Sequence, residues 1–216
     1  MHDVQPLAEL EPIESLAHPG RTMTEQEFED WCDDQTWAEW VDGEVILMSA
    51  VCLRHGFAFG FLHPLVCGFV QHHKLGTVFA EPVQFRLPGM RRRRSPDLFF
   101  VAADRQVIIK DNVVDGAPDL VIEIVSPESE ARDWREKYLE YESAGVPEYW
   151  IADPLSAALE GSGLSSEGRY RPLPEQDGRI LSSVLPGFYL RREWLQRDAF
   201  PDFLDILREF GVIPSV

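Results

Sequence analysis

The sequence predicts an α/β fold, a mixed sheet flanked by helices, followed by a β-rich tail and C-terminal helices. Three observations predict it. Two short apolar runs, residues 98–101 and 120–125, each follow a Pro-Asp pair and have the length and composition of buried strands. A third run, residues 148–152, is stopped by Asp153-Pro154. Around these runs lie segments with helix-start and helix-stop chemistry.

The elements follow in order. Residues 1–20 read as a flexible acidic lead-in closed by Gly20. Thr24 with Glu27 three residues later forms a capping box, so a helix is expected from there to about Asp34, with Phe28, Trp31 and Cys32 on its apolar face. Residues 37–48 read as a hairpin turning at Asp42-Gly43. A long helix is expected over 53–74, kinked or broken at Pro64 and closed by Leu75-Gly76, with Gly56 and Gly60 permitting close approach to the sheet. Residues 77–87 read as one strand ending in the Pro88-Gly89 turn, and 107–109 is a further apolar piece. Ser126-Pro127 marks the start of a helix that ends near Ala144-Gly145. Beyond 154 the chain holds hairpin-like fragments near Leu159 and Tyr170 and an apolar run from Ile180 to Pro186-Gly187, continued by Tyr189 and Leu190. Helical pieces are expected over 191–196 and 203–210. The domain division is therefore a lead-in over 1–20, one domain over 21–198 and a helical extension over 199–216.

Length and composition set the class. A chain of 216 residues with ordinary hydrophobic and charged fractions can bury a real core. The first twenty residues lack the basic start and apolar run of a secretory signal. The most apolar stretch, 57–70, is interrupted by His63 and Pro64 and is short for a bilayer span, so no membrane is expected. Cys32, Cys52 and Cys67 form no C-x-x-C pair, which points to reduced thiols and a cytoplasmic setting. The net charge of −17 argues against indiscriminate nucleic-acid binding. The single basic run, Arg91 to Arg94, is either a solvated loop or a phosphate guide.

The chemistry concentrates between 91 and 154. Glu123 stands among Val121, Ile122, Ile124 and Val125, where a carboxylate is costly unless something pairs with it; a metal ion is a common partner. Asp119 shares its face, but four residues along a strand span roughly 13 Å, too far for one metal and beyond the roughly 5–9.5 Å of glycosidase carboxylate pairs. Asp97, on a different strand, approaches Glu123 if the two strands are neighbours. Asp97 and Glu123 are thus the better metal pair, for a hard cation such as Mg²⁺ or Mn²⁺. Lys137 shares a helical spacing with Trp134, Tyr138 and Tyr141, so its ammonium either snorkels outward or turns toward the sheet. Glu136 and Glu140 are expected on the solvent side. Asp, Glu and Lys on one small sheet are the chemistry of a metal-dependent phosphodiesterase. His55 reads as a core or capping histidine as readily as a substrate contact, and His72-His73 as serving a helix end. No H-x-x-x-H spacing, Walker loop or dinucleotide fingerprint is present.

The strings S-P-D-L, A-P-D-L-V-I-E-I-V-S-P and R-E-K-Y-L-E-Y-E-S-A-G-V-P-E-Y-W-I-A-D-P resemble the Uma2 family, also called DUF820, of the PD-(D/E)XK nuclease superfamily. The likeness extends to W-V-D-G-E-V-I-L-M-S, to His55 and to L-P-G-F-Y-L, and so spans roughly residues 22 to 197. It implies a restriction-endonuclease-like fold and Mg²⁺-dependent hydrolysis of DNA phosphodiester bonds, with a homodimer as the usual way to cut both strands. It also implies that Asp97 is the superfamily's aspartate and Glu123 its second acid. The lysine two residues later is missing, because Val125 stands there; the family's lysine corresponds to Lys137. An upstream acid often completes such sites, and Glu39 is the choice here with Glu44 as its rival. The alternative outcome is a nuclease-fold binding or regulatory protein with weak or no cleavage.

Overall fold

The computed structural model describes residues 22–32, 37–47, 53–126, 132–195 and 201–214, with only the backbone for 132–134. The expected lead-in, the helix start at Pro127, Cys52 and the side chain of Trp134 lie outside the described residues.

Helix α1 (Glu25–Trp31) opens on the expected capping box: the Thr24 hydroxyl accepts from the Glu27 amide, and Glu27 accepts from the Thr24 amide at 2.7 Å. Strands β1 (Ala38–Val41) and β2 (Glu44–Leu47) form the expected hairpin, with Asp42 and Gly43 both at positive φ in its turn. Helix α2 (Leu53–His73) runs unbroken through Pro64, because Phe61, Leu62, Leu65 and Val66 on either side are held in the core. A Cβ added at Gly56 or Gly60 would meet nothing within 4 Å, so these glycines face open space and not the sheet. The close approach is at Gly76, where a Cβ would stand 2.1 Å from the Val101 carbonyl.

The expected single strand over 77–87 is two strands. β3 (Gly76–Ala80) ends at Glu81-Pro82, and β4 (Phe85–Arg86) then enters a different sheet. Next come β5 (Arg92–Arg94), β6 (Leu98–Ala102), a 3-10 turn (Ala103–Ile108), β7 (Val114–Asp115) and β8 (Leu120–Ile124). A π-helical stretch (Arg132–Lys137) leads into α3 (Tyr138–Ala144), which Gly145 closes in the left-handed conformation. β9 (Glu148–Asp153), β10 (Ala158–Leu164), β11 (Tyr170–Pro172), β12 (Glu175–Gln176), β13 (Arg179–Leu181) and β14 (Tyr189–Leu190) follow, with a 3-10 turn (Arg192–Leu195) and α4 (Phe203–Glu209) at the end.

Among the described residues the strands form a six-stranded sheet in the order β11-β10-β9-β8-β6-β3, a five-stranded sheet β2-β1-β5-β4-β7 and a small sheet β12-β13-β14. β8 and β9 run parallel and β6 is antiparallel to β8, so the main sheet is mixed. The first hairpin of the tail therefore extends the main sheet. Its two faces are both apolar, which explains why the central strands read as continuous hydrophobic runs. Leu98, Phe100, Ile122, Ile124 and Trp150 share one core with Leu65 and Phe69 of α2 and Ile206 of α4. Phe99, Val101, Val121, Val125 and Ile151 share the other with Tyr141 of α3 and Phe85 of β4. By length and composition alone α2 could cross a membrane, a correction to the shorter apolar stretch expected; eight of its residues are buried here.

Candidate active site

Strand register brings the acidic residues together. Ala80 pairs with Leu98, and Leu98 with Ile122. One step further along each strand sets Glu81, Asp97 and Glu123 side by side across β3, β6 and β8. Neighbours in such a row stand about 5 Å apart at Cα. The Glu81 amide donates to the Asp97 carbonyl at 3.3 Å, which continues the ladder past the strand ends. Alternation along the strands puts these residues on the α3 face, with Phe79, Phe99 and Val121.

Each side chain is held. Asp97 is buried, with Oδ1 2.6 Å from Nε2 of His55 on α2 and Oδ2 accepting from the Ile124 amide at 2.7 Å. Glu123 is buried too, and its Oε1 accepts from the Tyr141 hydroxyl at 2.8 Å and lies 2.9 Å from Lys137 Nζ. Burial, followed by the negative charge of Glu123, pushes the Tyr141 phenol well above its ordinary value, so it remains a donor. Lys137 closes the π-helical stretch and turns inward: it is 2% exposed. A snorkelling lysine would leave its ammonium in water, so this one is committed to the sheet.

Glu39 lies on β1, fully buried, accepting from Arg94 at 2.7 Å and from the Ser95 amide at 3.2 Å. Burial disfavours its ionisation, but the charges of Lys137 and Arg94 prevail and hold it below the usual carboxylate range. Its rival Glu44 is exposed on the hairpin and stands outside this cluster. Asp119 is taken up by Arg105 at 2.7 Å and by the Ala102 amide, away from the row.

Arg91 is exposed, but the rest of the basic run is not a solvated loop. Arg92, Arg93 and Arg94 form β5, and the last two are buried. Arg94 grips Glu140 through two nitrogens at 2.9 and 2.7 Å and reaches Glu39 with a third; Arg92 pairs with Glu140 and with Asp42. Arg93 pairs with Glu25 and Glu29 of α1. Glu140, expected on the solvent side, is therefore buried, because the α3 face that carries it lies over β5. Glu136 is exposed as expected.

The residue that sequence reasoning missed is Glu81. Burial and then the charge of Asp97 raise its carboxyl to about 7, while His55 and Lys137 pull the other way. Its signal was the Glu81-Pro82 pair, which ends β3 as the Pro-Asp pairs begin other strands. An open cleft of about 700 Å³ lies beyond Pro82 and Val83, and none of the row's carboxylates lines it.

No three His, Cys, Asp or Glu side chains form a ready metal cage among the described residues. The donor chemistry nevertheless fits a hard divalent cation. Asp97 and Glu123 offer carboxylate oxygens from neighbouring strands, the donor type such a cation takes.

No curated protein matches the chain. Among solved structures, a putative nuclease belonging to DUF820 from Anabaena variabilis is similar at a TM-score of 0.65 and 17% identity, over 80% of this chain and 97% of that one. At that identity the likeness shows the fold, which is the restriction-endonuclease-like α/β arrangement. The Uma2 model, described as putative restriction endonuclease, matches residues 25–193, and the chain belongs to that nuclease family.

Proposed function

We propose that the protein is a Mg²⁺-dependent endonuclease that hydrolyses DNA phosphodiester bonds, working as a homodimer so that two sites address two strands. The observation that carries this reading is a buried lysine amine 2.9 Å from Glu123, on the strand next to Asp97. Asp97 and Glu123 would hold the cation. A divalent cation supplies Lewis acidity, acidifying water and offsetting phosphate charge. Everything else falls to the chain. His55 and the Ile124 amide fix the Asp97 carboxylate from two sides, and Tyr141 fixes Glu123. Lys137 directs its ammonium at the reacting phosphate, orienting the attacking water and stabilising negative charge as it develops. Glu39, tied to Arg94, supports the site through its attraction to Lys137.

A second reading, a nuclease-fold binding or regulatory protein with weak or no cleavage, is favoured by one observation. Arg92 to Arg94 are spent on internal ion pairs in a chain of net charge −17. Cleavage of supercoiled and single-stranded DNA with Mg²⁺ or Mn²⁺ separates the two. Wild type should nick, and Asp97→Ala and Lys137→Ala should each lose about a hundredfold or more in rate. Folded wild type that leaves DNA intact across salt and metal conditions selects the second reading.

A further inference from the structure

Lys137 and Asp97 reach the site on separate elements: Lys137 closes the π-helical stretch before α3, and Asp97 precedes β6. Lys137, Glu140 and Tyr141 stand three and four residues apart, so they share one face of the helix. All three are buried, whereas Glu136 and Leu139 are exposed. Lys137 and Tyr141 both end on Oε1 of Glu123, but Glu140 points elsewhere. Its two oxygens accept from Nε and Nη2 of Arg94 at 2.9 and 2.7 Å, a grip that holds the carboxylate in a fixed orientation to the guanidinium.

The other end of this pair is anchored on the side of Asp97. Trp40 of β1 pairs with Arg93 of β5, and one step further sets Glu39 opposite Arg94. Nη1 of Arg94 donates to Oε2 of Glu39 at 2.7 Å, and Oε1 of Glu39 accepts from the Ser95 amide at 3.2 Å. Arg94-Ser95-Pro96-Asp97 is one short run, so the residues held by Glu140 and Glu39 lead straight to the Asp97 carboxylate. Desolvation offsets much of the attraction within a buried ion pair, so its presence is weak evidence for stability alone. What a two-nitrogen grip supplies is direction. Here it ties the helix of Lys137 to the strand entry of Asp97, and a displacement of about 1 Å at a reacting group can cost about a hundredfold in rate.

We propose that Arg94 and Glu140 are positioning residues, which set where the Lys137 ammonium stands relative to Asp97. The effect on rate rests on the nuclease reading above; the effect on Lys137 does not. Arg94→Lys tests the pair with every charge kept, because an ammonium cannot hold Glu140 with two nitrogens and Glu39 with a third. Glu140→Gln tests the other half, because its amide nitrogen would face a donor. Arg93→Lys, at a position whose partners are Glu25 and Glu29 of α1, is the control. Each protein is assayed well below its Tm for DNA cleavage with Mg²⁺ and for amine labelling of Lys137, read by mass spectrometry against the exposed Lys74 and Lys110. Arg94→Lys and Glu140→Gln should lower kcat about ten- to a hundredfold at unchanged KM, and Lys137 should label faster in both than in wild type. Arg93→Lys should lower Tm and leave both readouts at their wild-type values. If the two variants lose stability but keep wild-type kcat and Lys137 labelling, the pair is a structural brace and the proposal is overturned. Arg93→Lys matching them in both readouts overturns it as well. Wild type that leaves DNA intact, with Lys137 labelled faster in the two variants alone, sinks the nuclease reading and upholds the positioning of Lys137.

Discussion

Two acidic regions lie on either side of Lys137 and are treated in opposite ways. In the ladder formed by Glu39, Arg94, Glu140, Arg92 and Asp42, carboxylates and guanidiniums alternate, so each buried charge meets its complement. In the row formed by Glu81, Asp97 and Glu123, acids stand next to acids, and the cations nearby are fewer. A region built only for stability would resemble the first. Crowding acids together in the second makes sense where something positive is to be bound. Lys137 joins the two, as the partner of Glu123 and a source of positive potential at Glu39.

The comparison breaks most severely at Arg94. Arg94→Met removes the partner shared by Glu39 and Glu140, leaving Glu140 with Arg92 alone and Glu39 with the Ser95 amide, and should cost about 3–5 kcal/mol in urea or thermal unfolding. A loss under about 1 kcal/mol would mean that the ladder does not hold β5 in place. A smaller effect, and one of opposite sign, is expected at Glu81 in the metal-free protein. Its folded pKa of about 7 lies above the ordinary 4.5, so its contribution is fully present below 4.5 and is lost as pH rises through about 7. Glu81→Gln should match wild type near pH 4 and become relatively more stable towards pH 8, as read from Tm against pH. A difference that does not change with pH would show that neither burial nor the charge of Asp97 raises the Glu81 carboxyl. Glu39 runs the other way: its lowered pKa contributes stability above 4.5 that is lost as pH falls through the folded value. The smallest effect is at Glu44, the exposed counterpart of Glu39. Glu44→Gln should change stability by less than about 0.5 kcal/mol in the same denaturation experiment. A larger change would assign the hairpin a share of the ladder.

Much of this arrangement is written in local patterns. The capping box at Thr24, the Asp42-Gly43 turn, and the apolar runs of β6 and β8 are each specified within a few residues, and the structure follows them. The spacing of Lys137 to Tyr141 leaves its ammonium free to snorkel or to turn inward, and its contact with Glu123 on another element decides for the sheet. What could not be read depends on partners far away in sequence. Arg94 looks solvated in its own string of arginines, yet its partners lie 46 and 55 residues away on α3 and β1. Glu140 reads as solvent-facing for the same reason. Glu81 was hidden differently, within what read as one continuous strand; the division between two sheets at Glu81-Pro82 is a tertiary event. Pro64 shows the converse, a local breaker overruled by the core around it.

The inward-turned arginines also bear on how a nucleic acid would reach this surface. Long-range attraction between a protein and a polyanion depends on net field, and paired guanidiniums cancel their own contribution. With a net charge of −17, the protein repels an approaching strand at separations up to the Debye length, about 10 Å at 0.1 M salt. The encounter is therefore uphill until short-range contacts and divalent cations take over. Its association rate should rise as salt is added, the reverse of the steep fall shown by proteins that bind through basic faces.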